Sequence, residues 1–73
     1  MESVAKIVEL IGSSDESWEK AAAVAVKEAR KTLHGITGIE VIDMTAKIEP
    51  KSGKIIKYRT CIKLSFGVEE ERQ

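Results

Sequence analysis

From residue 54 to residue 68 the chain alternates almost without a break. Ile56, Tyr58, Thr60, Ile62, Leu64, Phe66 and Val68 fall on one side, and Lys57, Arg59, Cys61, Lys63 and Ser65 on the other. A period of two reads as a β-strand with one buried and one wetter face. Fully extended, such a strand reaches about 50 Å at ~3.3 Å per residue. The chain has 73 residues, and a compact globule of that length has a radius of gyration near ~11 Å, hence a diameter of roughly 30 Å. The strand therefore has to bend strongly around another element or project into a neighbouring molecule.

The remaining elements follow from branching, periodicity and punctuation. Residues 4–11 are rich in branched side chains and stop at Gly12, which predicts a first strand with both faces largely apolar. Ser13 followed by Glu16 fits a capping box, so a helix is expected from about Asp15 to His34, ended by Gly35. Trp18, Ala22, Ala25, Ala29 and Leu33 form its apolar stripe, and so much alanine invites a close neighbour. Residues 39–48 alternate as a second strand, and Glu49-Pro50-Lys51-Ser52-Gly53 supplies a turn into the third. The acidic end, Glu69–Gln73, is expected to fray. The fold class is α+β: one domain over residues 1–73, in the order β-α-β-β, with a three-stranded antiparallel sheet wrapped partly around one helix.

Composition decides whether such a chain stands alone. Leu, Ile, Val and Phe make up 19 of the 73 residues, above the roughly one-fifth below which chains stay disordered. Domains below about 70–80 residues nevertheless need help from disulfides, metal or partners. Cys61 is the sole cysteine, so no intrachain disulfide is available, and its isolation fits a reducing, cytoplasmic setting. One helix cannot cover both faces of a three-stranded sheet. Self-association is the expected remedy.

Several function classes drop out. The longest apolar run, around Ala21–Val26, is far shorter than a membrane span, and Glu2, Lys6 and Glu9 interrupt any leader-like segment. Twelve basic and twelve acidic residues balance to a formal charge of +0, so nothing draws the chain as a whole to nucleic acid or anionic membrane. No catalytic set is present. His34 reads as a helix C-terminal cap, Cys61 as a strand residue with an incidental thiol, and Trp18 as packing. Glu69–Glu71 reads as a solvated tail, lacking the spaced oxygen ligands of a calcium loop. Lys57, Arg59 and Lys63 line a solvated or intersubunit face without the interleaved aromatics of a nucleic-acid site. From residues alone the expectation is a non-enzymatic, self-associating domain.

Val8-Glu9-Leu10-Ile11-Gly12-Ser13-Ser14 resembles the V-E-L-V-G-T-S segment of the dodecins, small flavin-binding proteins. Ala29-Arg30-Lys31-Thr32-Leu33 resembles their A-R-K-T-L helix end. Leu64-Ser65-Phe66-Gly67-Val68-Glu69 is similar to their terminal V-G-F-R-L-E. The resemblance implies a hollow homododecamer built from trimers, holding riboflavin, FMN or FAD between subunits for storage or protection. It also implies three pocket positions. The family's ring-stacking tryptophan, in W-F-E-V, matches Gly38; a second-strand arginine matches Thr45; the glutamine that hydrogen-bonds the flavin edge matches Arg59, after Tyr58. Gly38 has no ring to stack, and Arg59 offers donors without an acceptor. The ligand expected is therefore flavin-type, or another small molecule or a metal ion such as calcium. The alternative is a structural or interaction oligomer that has lost flavin binding.

Overall fold

The computed structural model describes residues 4–68. Four elements follow in order: β1 (Val4–Ser14), α1 (Trp18–Ala29), β2 (Ile36–Ile48) and β3 (Ile55–Val68). The sheet order is β1-β3-β2, with both neighbours antiparallel to β3. The long alternating strand is thus the central one, which is why its inner face carries the most buried side chains. Ile62, Leu64 and Thr60 are fully buried there, whereas Arg59 and Lys63 on the other face are exposed. Burying Ile62 and Leu64 contributes roughly 1.5–3 kcal/mol each.

β1 runs two residues beyond the expected stop at Gly12, because β3 is long enough to offer partners as far as Ser13↔Arg59 and Ser14↔Tyr58. The capping box at Ser13 and Glu16 does not form, since the ladder claims Ser13. The N-cap is Ser17, in extended backbone, whose Oγ accepts the Lys20 N–H at 3.0 Å.

The helix is also shorter at its far end than expected. Past Ala29 the chain tightens into turns in which Lys31 N–H donates to the Glu28 carbonyl and Thr32 N–H to the Ala29 carbonyl, both at 3.2 Å. His34 lies beyond the helix and does not cap it. Gly35 does take a left-handed conformation, φ +74°, but as the bend into β2, which begins at Ile36 instead of Ile39.

Ala21, Ala25 and Ala29 form the buried ridge of α1, with Ala22, Val26 and Leu33 half-buried beside it. The expected stripe had Ala22 in place of Ala21. What presses on this ridge is the sheet backbone at Gly12. A Cβ there would collide with the Ala21 carbonyl oxygen and stand 3.1 Å from Ala25 Cβ. Gly12 is therefore a close-approach position inside a strand, not a strand end. The core proper joins Ala25, Ala29, Ile62 and Leu64, packed against by Leu10, Val26 and Ile36.

Twelve helical residues cover about 18 Å at ~1.5 Å each, less than half of β3. The protomer is accordingly long, 59 × 20 × 12 Å, with a radius of gyration of 15.6 Å. Of the two ways out for an over-long strand, projection is taken: β2 and β3 continue past the start of α1 as a two-stranded arm. Its turn is the expected one, with Gly53 at φ +76° and its N–H donating to the Glu49 carbonyl at 2.8 Å. The helix packs over β1 and β3. On the same face of β2, Ile39, Val41 and Met44 stay 44%, 48% and 55% exposed, and on the opposite face Ile7 and Ile11 are 65% and 68% exposed. Among the described residues no helix is long and apolar enough to cross a membrane. The end Glu69–Gln73, with Glu69–Glu71, lies outside the described residues.

Candidate functional site

Strand register assigns the three family-matched positions to one surface. Thr45 stands opposite Arg59 and Gly38 opposite Ser65, all on the face turned away from α1. Ser13 flanks Arg59 on the β1 side, so Ser13, Arg59 and Thr45 form a row across the sheet. Ser65 is six residues along β3 from Arg59, about 20 Å at ~3.3 Å per residue. One protomer thus brings Thr45 and Arg59 together and leaves Gly38 far off. A depression of about 320 Å³ lies at Thr45, Ala46, Lys47 and Arg59. A smaller notch of about 160 Å³ lies at Gly38, bounded by Ile7, Ile39, Lys63 and Ser65. A Cβ at Gly38 would meet Ser65 Oγ at 3.8 Å, so the missing side chain leaves room instead of relieving a clash.

Between these two positions the face is ionic. Lys63 sits between Glu9 and Glu40, and the next row places Cys61 between Ile11 and Asp43. Opposite charges directly across a sheet attract, and Lys63 is the cation so provided for. Cys61 Sγ donates to Glu9 Oε2 at 3.7 Å. Burial pushes its thiol above the usual range, and the Glu9 charge adds to this. A thiol held protonated is a poor nucleophile and metal ligand. Among the described residues no three His, Cys, Asp or Glu side chains gather as a metal site. His34 is exposed at a cleft of about 370 Å³ with Val26, Arg30 and Leu33, remote from Arg59.

Trp18 matters more than its expected packing role suggested. Its ring meets Tyr58 edge-on, with centroids 4.9 Å apart at 80°. Its Nε1–H donates to the Thr45 carbonyl at 2.8 Å, and its own carbonyl accepts the hydroxyl of buried Thr60 at 2.9 Å. The first helical residue therefore ties β2 to β3 behind the Arg59 row. Residue spacing gave no hint of this, because the partners are 27 and 42 positions away. Trp18→Phe keeps a ring on Tyr58 but removes the donor to Thr45. A loss of about 1 kcal/mol is expected, read as a lower melting temperature; an unchanged melt would show that the bond contributes nothing.

Ser13, Glu9, Glu40, Asp43 and Lys47 also belong to this surface, and the sequence does not mark them as site residues. Their signal is cross-strand register, which a single strand's alternation does not contain.

Comparison with known proteins bears on this geometry. The family model for Dodecin matches residues 4–69. The calcium dodecin of Mycobacterium tuberculosis is 41% identical over 64 residues, covering 88% of this chain and 87% of its own. The dodecin of Thermus thermophilus is 36% identical over 70 residues, covering 96% and 99%. A crystal structure of a Thermus thermophilus protein superposes with a TM-score of 0.87 at 34% identity, over 96% of this chain and all (100%) of that one. The crystal structure of the Mycobacterium tuberculosis calcium dodecin, a calcium-chelating antigen with a novel calcium-binding site, gives 0.77 at 37% identity, over 97% and 99%. A β-α-β-β protomer with a three-stranded antiparallel sheet, matched along nearly its whole length, belongs to the dodecin family: it is a small, non-enzymatic, ligand-binding protein that associates with itself.

Proposed function

We propose that copies of this chain close into a hollow dodecamer built from trimers and hold a small ligand between subunits. In this reading Thr45 and Arg59 of one copy meet Gly38 of another. Bare apolar surface on both faces of the sheet carries the reading: Ile7 and Ile11 on one side and Ile39, Val41 and Met44 on the other are 44–68% exposed in the protomer. That much exposed apolar surface marks an interface. The roughly 20 Å between Gly38 and Arg59 supports the same view, because a pocket using both needs two chains.

The ligand is an acceptor-rich small molecule facing the Arg59 donors, with weakened flavin affinity. Without a ring at Gly38 the stacking of order ~1 kcal/mol per aromatic pair is missing. The calcium-chelating relative favours a second reading, in which calcium sits where copies bring Glu9, Glu40 and Asp43 together. The lone cysteine suits a cytoplasmic location for either.

Native mass spectrometry should show a particle of twelve chains, and a stable monomer would reject the assembly. Riboflavin added to that particle should lose little fluorescence at micromolar concentration. Restoring the pocket with Gly38→Trp and Arg59→Gln should increase the quenching. No gain in an intact particle would mean these positions do not line the pocket. Calcium titration followed by calorimetry separates the second reading from the first. A particle that binds neither is a structural oligomer.

A further inference from the structure

The projecting arm is electrically unlike the rest of the molecule. Between Thr45 and Arg59 there are five cations, Lys47, Lys51, Lys54, Lys57 and Arg59, and one acid, Glu49. The remainder of the chain holds seven basic and eleven acidic residues. An overall neutral chain is therefore strongly polarised, with its positive charge on the arm.

Register concentrates that charge further. Lys47 lies directly opposite Lys57, one row beyond Thr45 and Arg59, on the same helix-remote face. Like charges directly across an antiparallel pair repel and destabilise it. All three cations of these two rows are exposed, and no acid shares either row. Glu49 is engaged elsewhere: its Oε1 accepts the Ser52 N–H in the turn, and that bond holds its carboxyl below the usual range. The ion pairs formed among the described residues join Lys20 to Glu16 and Lys31 to Glu28, at the two ends of α1. Further along the same face, Lys63 has a glutamate on each side. Lys63 thus has acids across from it in register, whereas the rows of Lys47, Lys57 and Arg59 hold none.

We infer that the two rows formed by Thr45, Arg59, Lys47 and Lys57 bind a diphosphate group. Successive rows on one face are about 6.6 Å apart, so two phosphates joined through oxygen can engage the donors of both rows at once, with more contacts than one phosphate makes. Arg59 supplies a planar fork suited to bidentate phosphate contact, the lysines supply point charges, and the Thr45 hydroxyl a further donor. The depression over Thr45, Ala46, Lys47 and Arg59 gives the anion a seat. A bound polyanion also offsets the repulsion that Lys47 and Lys57 otherwise carry uncompensated. The site lengthens the pocket proposed above by one row and rests on that reading only in taking Thr45 and Arg59 as ligand-facing.

Calorimetric titration of the intact protein with inorganic pyrophosphate and with orthophosphate tests this. Pyrophosphate should bind at least about tenfold more tightly than orthophosphate, and Lys47→Gln with Lys57→Gln should weaken it by about tenfold or more. The same variant should melt higher than the parent in the absence of anions, because the repulsive pair is gone. ADP and FAD then identify the carrier. Tighter binding of FAD than of ADP assigns the diphosphate to a flavin nucleotide, and equal binding assigns it to nucleoside diphosphates in general. Equal pyrophosphate affinity in parent and variant, or no preference over orthophosphate, overturns the site. So does a variant that breaks into smaller species while pyrophosphate leaves the parent unaffected, because the lysines then belong to a subunit contact. Tight pyrophosphate binding by a monomeric protein would keep this site and remove the assembly reading instead.

Discussion

Gly12→Ala is expected to abolish the cooperative melt of the protomer or to cut its stability by about 3 kcal/mol, at the upper end of overpacking costs. The new Cβ would collide with the Ala21 carbonyl oxygen. That atom is backbone within the buried ridge of α1 and cannot rotate aside. The helix must lift, and lifting it opens the contact between Ala25, Ala29, Ile62 and Leu64. Since a chain this short has a total stability on the order of 5 kcal/mol, the loss is a large part of the whole. Gly38→Ala is the control: its Cβ meets Ser65 Oγ at an ordinary 3.8 Å, and a change within about 0.5 kcal/mol is expected. Urea denaturation of the two variants gives the comparison. Equal midpoints would show that α1 does not rest on Gly12.

Leu64→Ala should cost about 2–5 kcal/mol. Leu64 is fully buried at the junction of all three strands, opposite Val8 on β1 and Ile39 on β2, and packs against the alanines of α1. Small alanines on a short helix cannot collapse into the space, so the cavity term adds to the transfer term. Ile56 has the same alternation phase on the same strand but is 45% exposed. Ile56→Ala should therefore cost much less in a dissociated protomer. If it costs as much as Leu64→Ala in the intact particle, the arm is covered there by another copy. A Leu64→Ala protein that melts like the parent would place the core elsewhere.

These two residues mark where reading the chain succeeds and where it stops. The phase of β3 was legible at Thr60, Ile62, Arg59 and Lys63, because a strand's two faces are written in every second residue. The turn at Glu49–Gly53 was legible for an equally local reason: Pro50 restricts φ and Gly53 permits the positive φ it adopts. In the sequence Gly12 reads as a strand end, because a glycine needed for close approach and one that ends a strand look alike until the neighbour is known. The sequence puts the helix cap at Ser13, and the structure puts it at Ser17, for a related reason. Ser13 is drawn into the sheet by Arg59, a ladder partner 46 positions away, which leaves Ser17 as the cap.

The candidate site divides along the same line. Gly38, Thr45 and Arg59 came from resemblance, and alternation alone sufficed to put Arg59 on the polar face. That Thr45 stands beside Arg59, that Gly38 does not, and that Lys47 faces Lys57 all depend on how β2 is paired to β3, including its bulges between Ile36 and Gly38 and between Val41 and Asp43. Trp18 reaching the Thr45 carbonyl depends on where the helix lands.

Local chemistry thus determined the element order, the turn, the buried phase of the long strand and the need for partners. Each follows from side-chain branching, periodicity or the ratio of apolar surface to chain length. Tertiary structure alone decided which strand is central, which glycine carries the helix, and which charges face each other. Those are contacts between residues distant along the chain, whose pairing is set by the total of packing and hydrogen bonding and not by any one segment's preference.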